Sequence, residues 1–443
     1  MSNPWVFGDE YLYLSKAYNL RYNLNPLTDT SLGHKYSPLY SYLLALGFTH
    51  DSETTYRNVQ LLNILITQIL LLISFWILNR KFHWTKNKQG KLTLILMYSL
   101  FASSQLLTGY HFVAMSENLY LPLLFLVNSL IIYLDKNKKS NFKIIILISF
   151  LSGLCILTRT IGLILIPCLI LTILLPDLIT YIHSKKKQSN CKEMLTKLTI
   201  ILVFTVIGPW TFNFIENLII NKNSQTIFSQ HSYSVHSYLA NVISLLRGNI
   251  NWFWSIKITG NHLIYLMYSS FFLPCYFYLK DFFVNLKKNS VKQLFSFPFL
   301  FLSAYTFFSF VMSFFHSYGA FANNPIKYST YFRYFDPAVL LFSFHGWLEW
   351  TKLIQQKKLT LQKNCLIVFI LLSVSLILLL PSRDFYITIN SLGWTWLDLL
   401  KDRQNLIKLF AFSILFLFTF SFYKRKIKYY FYVGFFFLDD QSF

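Results

Sequence analysis

Acidic side chains are scarce in this 443-residue chain, and three of them stand where they could take part in chemistry. Asp9 and Glu10 are adjacent near the amino terminus, and Glu117 lies directly ahead of a long apolar run. A carboxylate can accept a proton from an attacking hydroxyl group and so act as a general base. Successive side chains of a helix point about 100° apart, so Asp9 and Glu10 cannot both face one reacting atom. One of the two is the candidate base and the other a positioning group.

Arg159 and Arg333 are the basic residues that could bind an anion beside these carboxylates. Arg159 interrupts an apolar stretch that otherwise extends from 144 to 175, and Arg333 stands at the start of another apolar run. A guanidinium at such a position must reach water or meet an anion, and its fork of donors matches the oxygens of a phosphate group. Lys35 and its neighbour His34 are weaker candidates.

Each of these residues also has an ordinary structural explanation. Asp9 and Glu10 could cap a helix and favour its positive end, and Glu117 could do the same at a second helix. The two arginines could be interfacial anchors. We interpret His111 and His316 as ordinary interface histidines, because no ligand spacing around them predicts a metal site.

The composition is that of a polytopic membrane protein. Hydrophobic residues make up 54% of the chain and aromatic residues 19%, against 13% charged residues. The pattern predicts an all-α fold with about 11 transmembrane helices and additional external interfacial helices. The apolar runs lie at 59–78, 94–113, 118–134, 144–158, 161–182, 198–220, 262–279, 295–315, 335–350, 365–381 and 406–423.

The formal net charge of +22 comes mainly from short basic segments between these runs. Orientation in the membrane and anionic lipid headgroups explain such segments better than nucleic acid, and no nucleic-acid partner is expected. Because the segments occupy alternate connections, the positive-inside rule places them in the cytoplasm. They are 80–91, 136–143, 185–197, 280–292, 352–363 and 424–428.

The remaining connections then face the outside of the plasma membrane, and every candidate residue lies on that face. We predict one multi-pass transmembrane domain over 1–443, with short amphipathic elements at 9–20 and 36–47. Its parts are an external juxtamembrane segment 1–58, spans in 59–220, an external loop 221–261, further spans in 262–428 and a cytoplasmic tail 429–443.

Charged residues avoid the predicted centres of the spans, which disfavours a proton- or ion-coupled transporter. The acidic and basic candidates instead gather at one interface, as an enzyme acting on a lipid headgroup would require. An external first segment also lacks a preceding helix to carry it across the membrane. We therefore expect an N-terminal span to be missing, which apolar sequence in frame upstream would support.

Five short motifs follow one another in an order that resembles the GT-C superfamily of integral-membrane glycosyltransferases, which use polyprenyl-phosphate sugars. They are Gly-Asp-Glu-Tyr (8–11), Ser-Pro-Leu-Tyr-Ser-Tyr-Leu-Leu-Ala (37–45), Ser-Glu-Asn-Leu-Tyr (116–120), Leu-Thr-Arg-Thr-Ile-Gly-Leu (157–163) and Phe-Arg-Tyr-Phe-Asp-Pro (332–337). The chain looks most like the branch of protein O-mannosyltransferases, aminoarabinose transferases and RgtA/B/C/D-like proteins. We expect it to differ in lacking the first helix of that family.

The resemblance implies roles for particular residues. Asp9 would be the catalytic acidic residue of the first external loop, Glu10 its supporting neighbour and Glu117 the second acidic position. Contacts to the donor phosphate would come from Arg159, Arg333 and Tyr334, with Lys35 as a weaker candidate.

The expected function is sugar transfer from a polyprenyl-phosphate donor to a hydroxyl group of a glycan, lipid or protein acceptor. Displacement assisted by one base predicts inversion at the sugar. No cofactor is predicted, although the requirement for a divalent metal stays open. The alternatives are a multispan lipid or polysaccharide transporter, a surface-polysaccharide polymerase and an inactive scaffold.

Overall fold

The computed structural model describes residues 8–22, 38–86, 88–136, 141–183, 187–219, 252–269, 296–323 and 333–355. Within these ranges every regular element is a helix, in agreement with the predicted fold class. Lys35 and the predicted spans at 365–381 and 406–423 lie outside them. The described residues up to Thr351 belong to one compact unit. A second unit comprises Lys352–Ile387 and Trp394–Phe443, and only its residues 352–355 are described.

The described α-helices are numbered in chain order. They are α1 (Gly8–Arg21), α2 (Pro38–Ala45), α3 (Ser52–Phe82), α4 (Lys88–Ala102), α5 (Gln105–Thr108), α6 (Glu117–Lys136), α7 (Phe142–Thr158), α8 (Leu165–His183), α9 (Lys187–Leu202), α10 (Gly208–Ile219), α11 (Trp252–Ser269), α12 (Phe297–Asn323) and α13 (Asp336–Gln355). Short 3₁₀ turns at Trp84–Lys86 and Thr160–Ile164 and a π-helical turn at Val203–Ile207 connect some of them.

Several of these helices can cross a membrane. A span needs about 20 consecutive apolar residues, because every backbone polar group in the hydrocarbon layer must be paired within the chain. Five helical stretches of the described residues meet this length and composition: Ser52–Phe82, Glu117–Asp135, Thr160–Ile179, Cys191–Phe212 and Phe297–Tyr318. The protein is therefore an all-helical membrane-integral protein.

The first span is longer than its apolar core, because its ends are set by capping rather than by hydropathy. α3 begins at Ser52, ahead of the predicted start at 59, where Asp51 accepts a hydrogen bond from the Thr54 backbone N–H at 2.7 Å. Hydrogen bonds with Thr54 lower the pKa of Asp51 and keep this cap ionised. The helix ends where His83 adopts a left-handed backbone with φ of 54°.

The predicted span 94–113 ends early in the structure. α4 stops at Ala102, and the chain continues through α5 and a series of turns to Ser116. At this point the Ser103 hydroxyl donates to the Ser99 carbonyl at 2.7 Å, while the Ser104 carbonyl accepts the Thr108 backbone N–H at 2.9 Å. The Ser103 hydroxyl thus shares the Ser99 carbonyl oxygen with the Ser103 backbone N–H, at 3.0 Å, and competes with the helix hydrogen bond at this position. The resulting turn segment, 109–116, leads directly into α6.

α6 is the central helix of the described unit. It packs against α3, α7 and α12, and almost all of its residues are buried. Four phenylalanine rings from α3, α4, α6 and α13 meet around it, with centroids 4.8 to 6.4 Å apart: Phe75, Phe101, Phe125 and Phe344. Because other helices enclose α6 along its length, its first residue, Glu117, also lies in the protein interior.

Ion pairs lie at the end of the helix bundle that is opposite to the start of α6. Lys81, near the end of α3, lies 3.7 Å from Asp135, near the end of α6, and Asp135 accepts the Phe297 backbone N–H of α12 at 3.2 Å. Lys197 of α9 pairs with Asp177 of α8 at 2.7 Å. The carboxyl ends of α3 and α6 thus lie beside the amino end of α12, as the predicted alternation of the spans requires.

A close contact between helices gives a first prediction. A Cβ atom added to Gly153 of α7 would collide with the backbone carbonyl oxygen of Phe204 in the π-helical turn. Since backbone cannot move aside easily, Gly153→Ala should lower the free energy of unfolding by about 1–3 kcal/mol.

Gly260 in α11 provides the matched control, because nothing lies within 4 Å of a Cβ added there. Alanine is the better helix former, so Gly260→Ala should raise the free energy of unfolding by about 0.5–1 kcal/mol. Unfolding of both variants in mixed detergent micelles measures the difference. Equal effects at the two positions would contradict the packing of α7 on the π-helical turn.

Candidate functional site

Glu117 is the centre of a buried charged cluster at the amino end of α6. Its side chain is 1% exposed. The turn segment 109–116 precedes it directly and places the start of α6 in the interior. Asn118 holds that segment in place, because its amide donates to the carbonyl oxygens of Tyr110 and Val113, both at 2.8 Å. A carboxylate buried this deeply needs strong partners to remain charged.

Arg159 supplies the first partner. α7 ends at Thr158, Arg159 is extended, and the 3₁₀ turn that follows folds back so closely that a Cβ on Gly162 would lie 2.8 Å from the Cys155 backbone. This reversal directs the Arg159 guanidinium inward, where it forms an ion pair with Glu117 Oε1. The same guanidinium lies over the ring of Tyr334, 5.3 Å from its centroid, in a cation–π contact.

Arg333 supplies the second partner from the residues just before α13. Its Nε contacts Glu117 Oε1, and its Nη2 donates to Oε2 at 2.9 Å, which makes a bidentate pair. Nη2 also lies 3.3 Å from the sulfur of Met115. Bidentate guanidinium–carboxylate pairs are among the strongest and most directional polar contacts in proteins.

The chemistry of Glu117 follows from this arrangement. Both of its oxygens contact guanidinium donors. The Glu117 carboxylate and the guanidiniums of Arg159 and Arg333 together carry a net charge of +1. A carboxylate held by two arginines is a poor proton acceptor, because protonation would leave two buried cations without their anion. Glu117 is therefore suited to hold the arginines together, and the arginines are suited to meet an additional anion.

Helix α1 packs beside the turn segment through Glu10. This residue is fully buried, and its Oε1 accepts a hydrogen bond from the Ala114 backbone N–H at 2.6 Å. The Tyr56 hydroxyl shares its one hydrogen between this oxygen, at 3.0 Å, and the Phe112 carbonyl oxygen, at 2.9 Å. Its Oε2 has no hydrogen-bond partner among the described residues. Glu10 thus has one oxygen held by donors and one buried oxygen without a partner among the described residues.

Tyr13 lies one turn after Glu10 and makes the second polar contact of α1. Its hydroxyl donates to Ser116 Oγ at 2.9 Å. Its ring meets that of Tyr40 in α2 edge to face, with centroids 5.4 Å apart. The Tyr40 hydroxyl in turn donates to Asn63 of α3 at 2.9 Å, so the contacts of α1 and α2 continue into the bundle.

Asp336 is a buried acidic residue to which the sequence assigns no role. It is the first residue of α13 and 0% exposed, and its carboxylate accepts hydrogen bonds from the hydroxyls of Tyr110, at 2.9 Å, and Tyr265. These neutral donors tie the start of α13 to the turn segment and to α11. Because Arg333 lies only three residues earlier, this anchor also limits where its guanidinium can reach. The sequence feature that could have indicated a role for Asp336 is its position before a proline at the start of a predicted span.

The structure brings Glu117, Arg159, Arg333 and Tyr334 into direct contact. Asp9 lies in the first turn of α1, directly before Glu10, while its side chain and all of Lys35 lie outside the described part of the chain. The ring of His316 packs against Tyr334 at 4.8 Å. In the ranges given above, no three His, Cys, Asp or Glu side chains are grouped as metal ligands.

The comparisons with known proteins give one similar solved structure. No protein-family model matches the chain, and no curated protein is similar to it in sequence. The crystal structure of ArnT from Cupriavidus metallidurans in the apo state is 15% identical, covers 84% of this chain and 60% of its own, and superimposes with a TM-score of 0.42. The chain therefore spans about three fifths of the length of ArnT. At this level of similarity, the nature of the site depends on its own geometry.

Proposed function

We propose that this protein is a membrane glycosyltransferase that moves a sugar from a polyprenyl-phosphate donor to an acceptor hydroxyl group. The acceptor is a glycan, a lipid or a protein, and the reaction takes place on the extracytoplasmic face of the plasma membrane. The observation that carries this proposal is the pair of buried guanidiniums held on one carboxylate at the end of a set of membrane-spanning helices.

The charge of this cluster fits a phosphodiester. Arg159 and Arg333 carry two positive charges against the single charge of Glu117, so the three groups together match one further negative charge. A sugar linked to a lipid through one phosphate carries that charge. Glu10 Oε1 and the Asp336 carboxylate contact neutral hydroxyl and backbone donors rather than these arginines, and Glu10 Oε2 has no partner among the described residues. The lipid tail of such a donor would lie along the apolar helices that converge here.

Leaving-group chemistry also fits the cluster. When the bond between sugar and phosphate breaks, negative charge grows on the phosphate oxygen, and fixed positive groups stabilise it. A phosphate leaves without protonation because its own pKa is low, so no general acid is required. The positive groups would be Arg159 and Arg333, with Tyr334 stacked under the first of them.

The base assigned to the acceptor hydroxyl is Asp9. Glu117 is engaged by two arginines, and Glu10 Oε1 is held by two donors. Asp9 adjoins Glu10 in the first turn of α1, and Oε2 of Glu10 can accept a hydrogen bond from the acceptor and orient it. A single displacement assisted by one base inverts the configuration at the anomeric carbon.

One feature favours the rival interpretation, a lipid or polysaccharide transporter. The helix through residues 191–212 is interrupted by the π-helical turn Val203–Ile207, and transporters often carry interrupted helices at their binding sites. Residues 203–212 contain no ionisable side chain, however, and the Thr205 hydroxyl is engaged by the Ile201 carbonyl at 2.7 Å. The adjoining Gly208-Pro209 pair accounts for the break, because proline removes a backbone donor.

Transfer assays test the proposal. Membranes that contain the protein should move label from at least one member of a panel of radiolabelled polyprenyl-phosphate sugars into an acceptor fraction, and membranes of the same host without it should not. The anomeric configuration of the product reports inversion. A parallel reaction with EDTA tests the requirement for a divalent metal. Movement of the intact lipid-linked sugar across the bilayer without bond cleavage would instead support the transporter.

A further inference from the structure

We propose that Tyr13 and Ser116 are positioning residues that hold Glu117 in the orientation its two arginines need, so that docking of α1 completes the anion-binding cluster. The proposal rests on the function proposed above for the identity of the anion. Its basis is a chain of hydrogen bonds: the Tyr13 hydroxyl donates to Ser116 Oγ at 2.9 Å, and Ser116 Oγ donates to Glu117 Oε2 at 3.4 Å. All three side chains are buried.

The direction of these hydrogen bonds gives Tyr13 its role. Burial raises the pKa of the Tyr13 hydroxyl, which therefore stays protonated and acts as a donor rather than as a source of protons. A serine hydroxyl has a single hydrogen. Because the oxygen of Ser116 accepts the hydrogen of Tyr13, its own hydrogen points to Glu117 Oε2. Without Tyr13 the Ser116 hydroxyl is free to rotate, and Glu117 loses a directed donor.

Helix α1 is held against the turn segment at two points. Glu10 and Tyr13 are three residues apart and so lie on one helix face. Glu10 contacts the Ala114 backbone, and Tyr13 contacts Ser116, the residue immediately before Glu117. The surroundings of Glu117 therefore depend on a helix that precedes the first span, and not only on the helices of the bundle.

Steady-state kinetics of Tyr13→Phe test this role. Loss of one hydrogen bond to the cluster should raise the KM for the lipid-linked donor about 5–10-fold. The kcat should change by less than about 2-fold, because the donor phosphate already carries one full negative charge in the ground state, and only the charge that grows during bond cleavage affects kcat. Ser116→Ala should give the same result, and Ser116→Thr, which keeps a hydroxyl, should restore the KM. The control is Tyr18→Phe, an exposed tyrosine of the same helix, which should leave the KM unchanged.

The double variant Tyr13→Phe/Ser116→Ala separates this proposal from the proposed function. Because the two residues act in one chain of hydrogen bonds, the effects of the single variants should not add, in donor KM or in detergent unfolding. Additive unfolding losses would overturn the proposal whatever the transfer assay shows. If the unfolding effects are coupled but the wild type transfers no sugar, the positioning of Glu117 stands and the glycosyltransferase function falls. An unchanged donor KM in Tyr13→Phe, with an active wild type, would overturn the positioning role alone.

Discussion

Glu117→Gln should lower the free energy of unfolding by about 3–5 kcal/mol, because it removes the anion from between two buried guanidiniums. The substitution keeps the shape of the side chain, so the loss reports charge rather than packing. The side chains of Arg159 and Arg333 are only 7% and 11% exposed, so they would then repel each other at a place where water cannot screen them well. Few single substitutions elsewhere in the described unit should cost as much.

Unfolding in mixed detergent micelles, followed by the fluorescence of the ten tryptophans, measures this loss. The matched control is Glu53→Gln, an exposed acidic residue in the first turn of α3, which should change the free energy by less than about 0.5 kcal/mol. Combining Glu117→Gln with Arg159→Met should recover part of the loss, because one unpaired cation is removed with its partner. Similar small losses at Glu117 and Glu53, or no recovery in the double variant, would show that the cluster does not stabilise the fold.

The sequence predicts that Glu117, Arg159 and Arg333 lie at the same end of the bundle, but it does not predict which of them form ion pairs. Spans that alternate in direction bring every second end to one face, so Glu117, Arg159 and Arg333 are expected together. In the structure these three side chains form direct ion pairs. A topology rule locates residues by face alone, however, and it cannot show that both arginines bind the same carboxylate. That pairing depends on the backbone reversal after α7 and on the position of Arg333 before α13.

The residues that support the cluster were beyond the reach of sequence patterns. Tyr13 and Tyr110 are two of 29 tyrosines in a strongly aromatic chain, and nothing local distinguishes them from lipid-facing ones. Their roles arise because α4 ends at Ala102, which leaves the segment 109–116 to turn inside the protein and meet α1. Apolar runs mark the positions of spans well and the ends of helices poorly, since capping and serine hydroxyls decide the ends. The predicted span 94–113 shows that error.

Asp9→Asn should reduce sugar transfer about 10²–10⁴-fold, which is the usual contribution of a general base. The asparagine keeps the size of the side chain and removes its ability to take a proton. Binding of the donor should remain close to that of the wild type, because the two arginines proposed to bind the phosphate are held by Glu117. The loss should therefore appear in kcat, with little change in the donor KM.

The neighbouring substitution Glu10→Gln sharpens this test. Glutamine keeps an oxygen that can accept from Ala114 and Tyr56, so α1 should still dock, and transfer should fall less than in Asp9→Asn. Near-wild-type turnover in Asp9→Asn would remove Asp9 from the role of base. If Glu10→Gln then caused the larger loss in kcat, proton removal would belong to Glu10, whose Oε2 is buried and has no partner among the described residues. The two variants thus decide which of the two adjacent carboxylates takes the proton. Only one of them can do so, because successive side chains of a helix point about 100° apart and cannot both face one reacting atom.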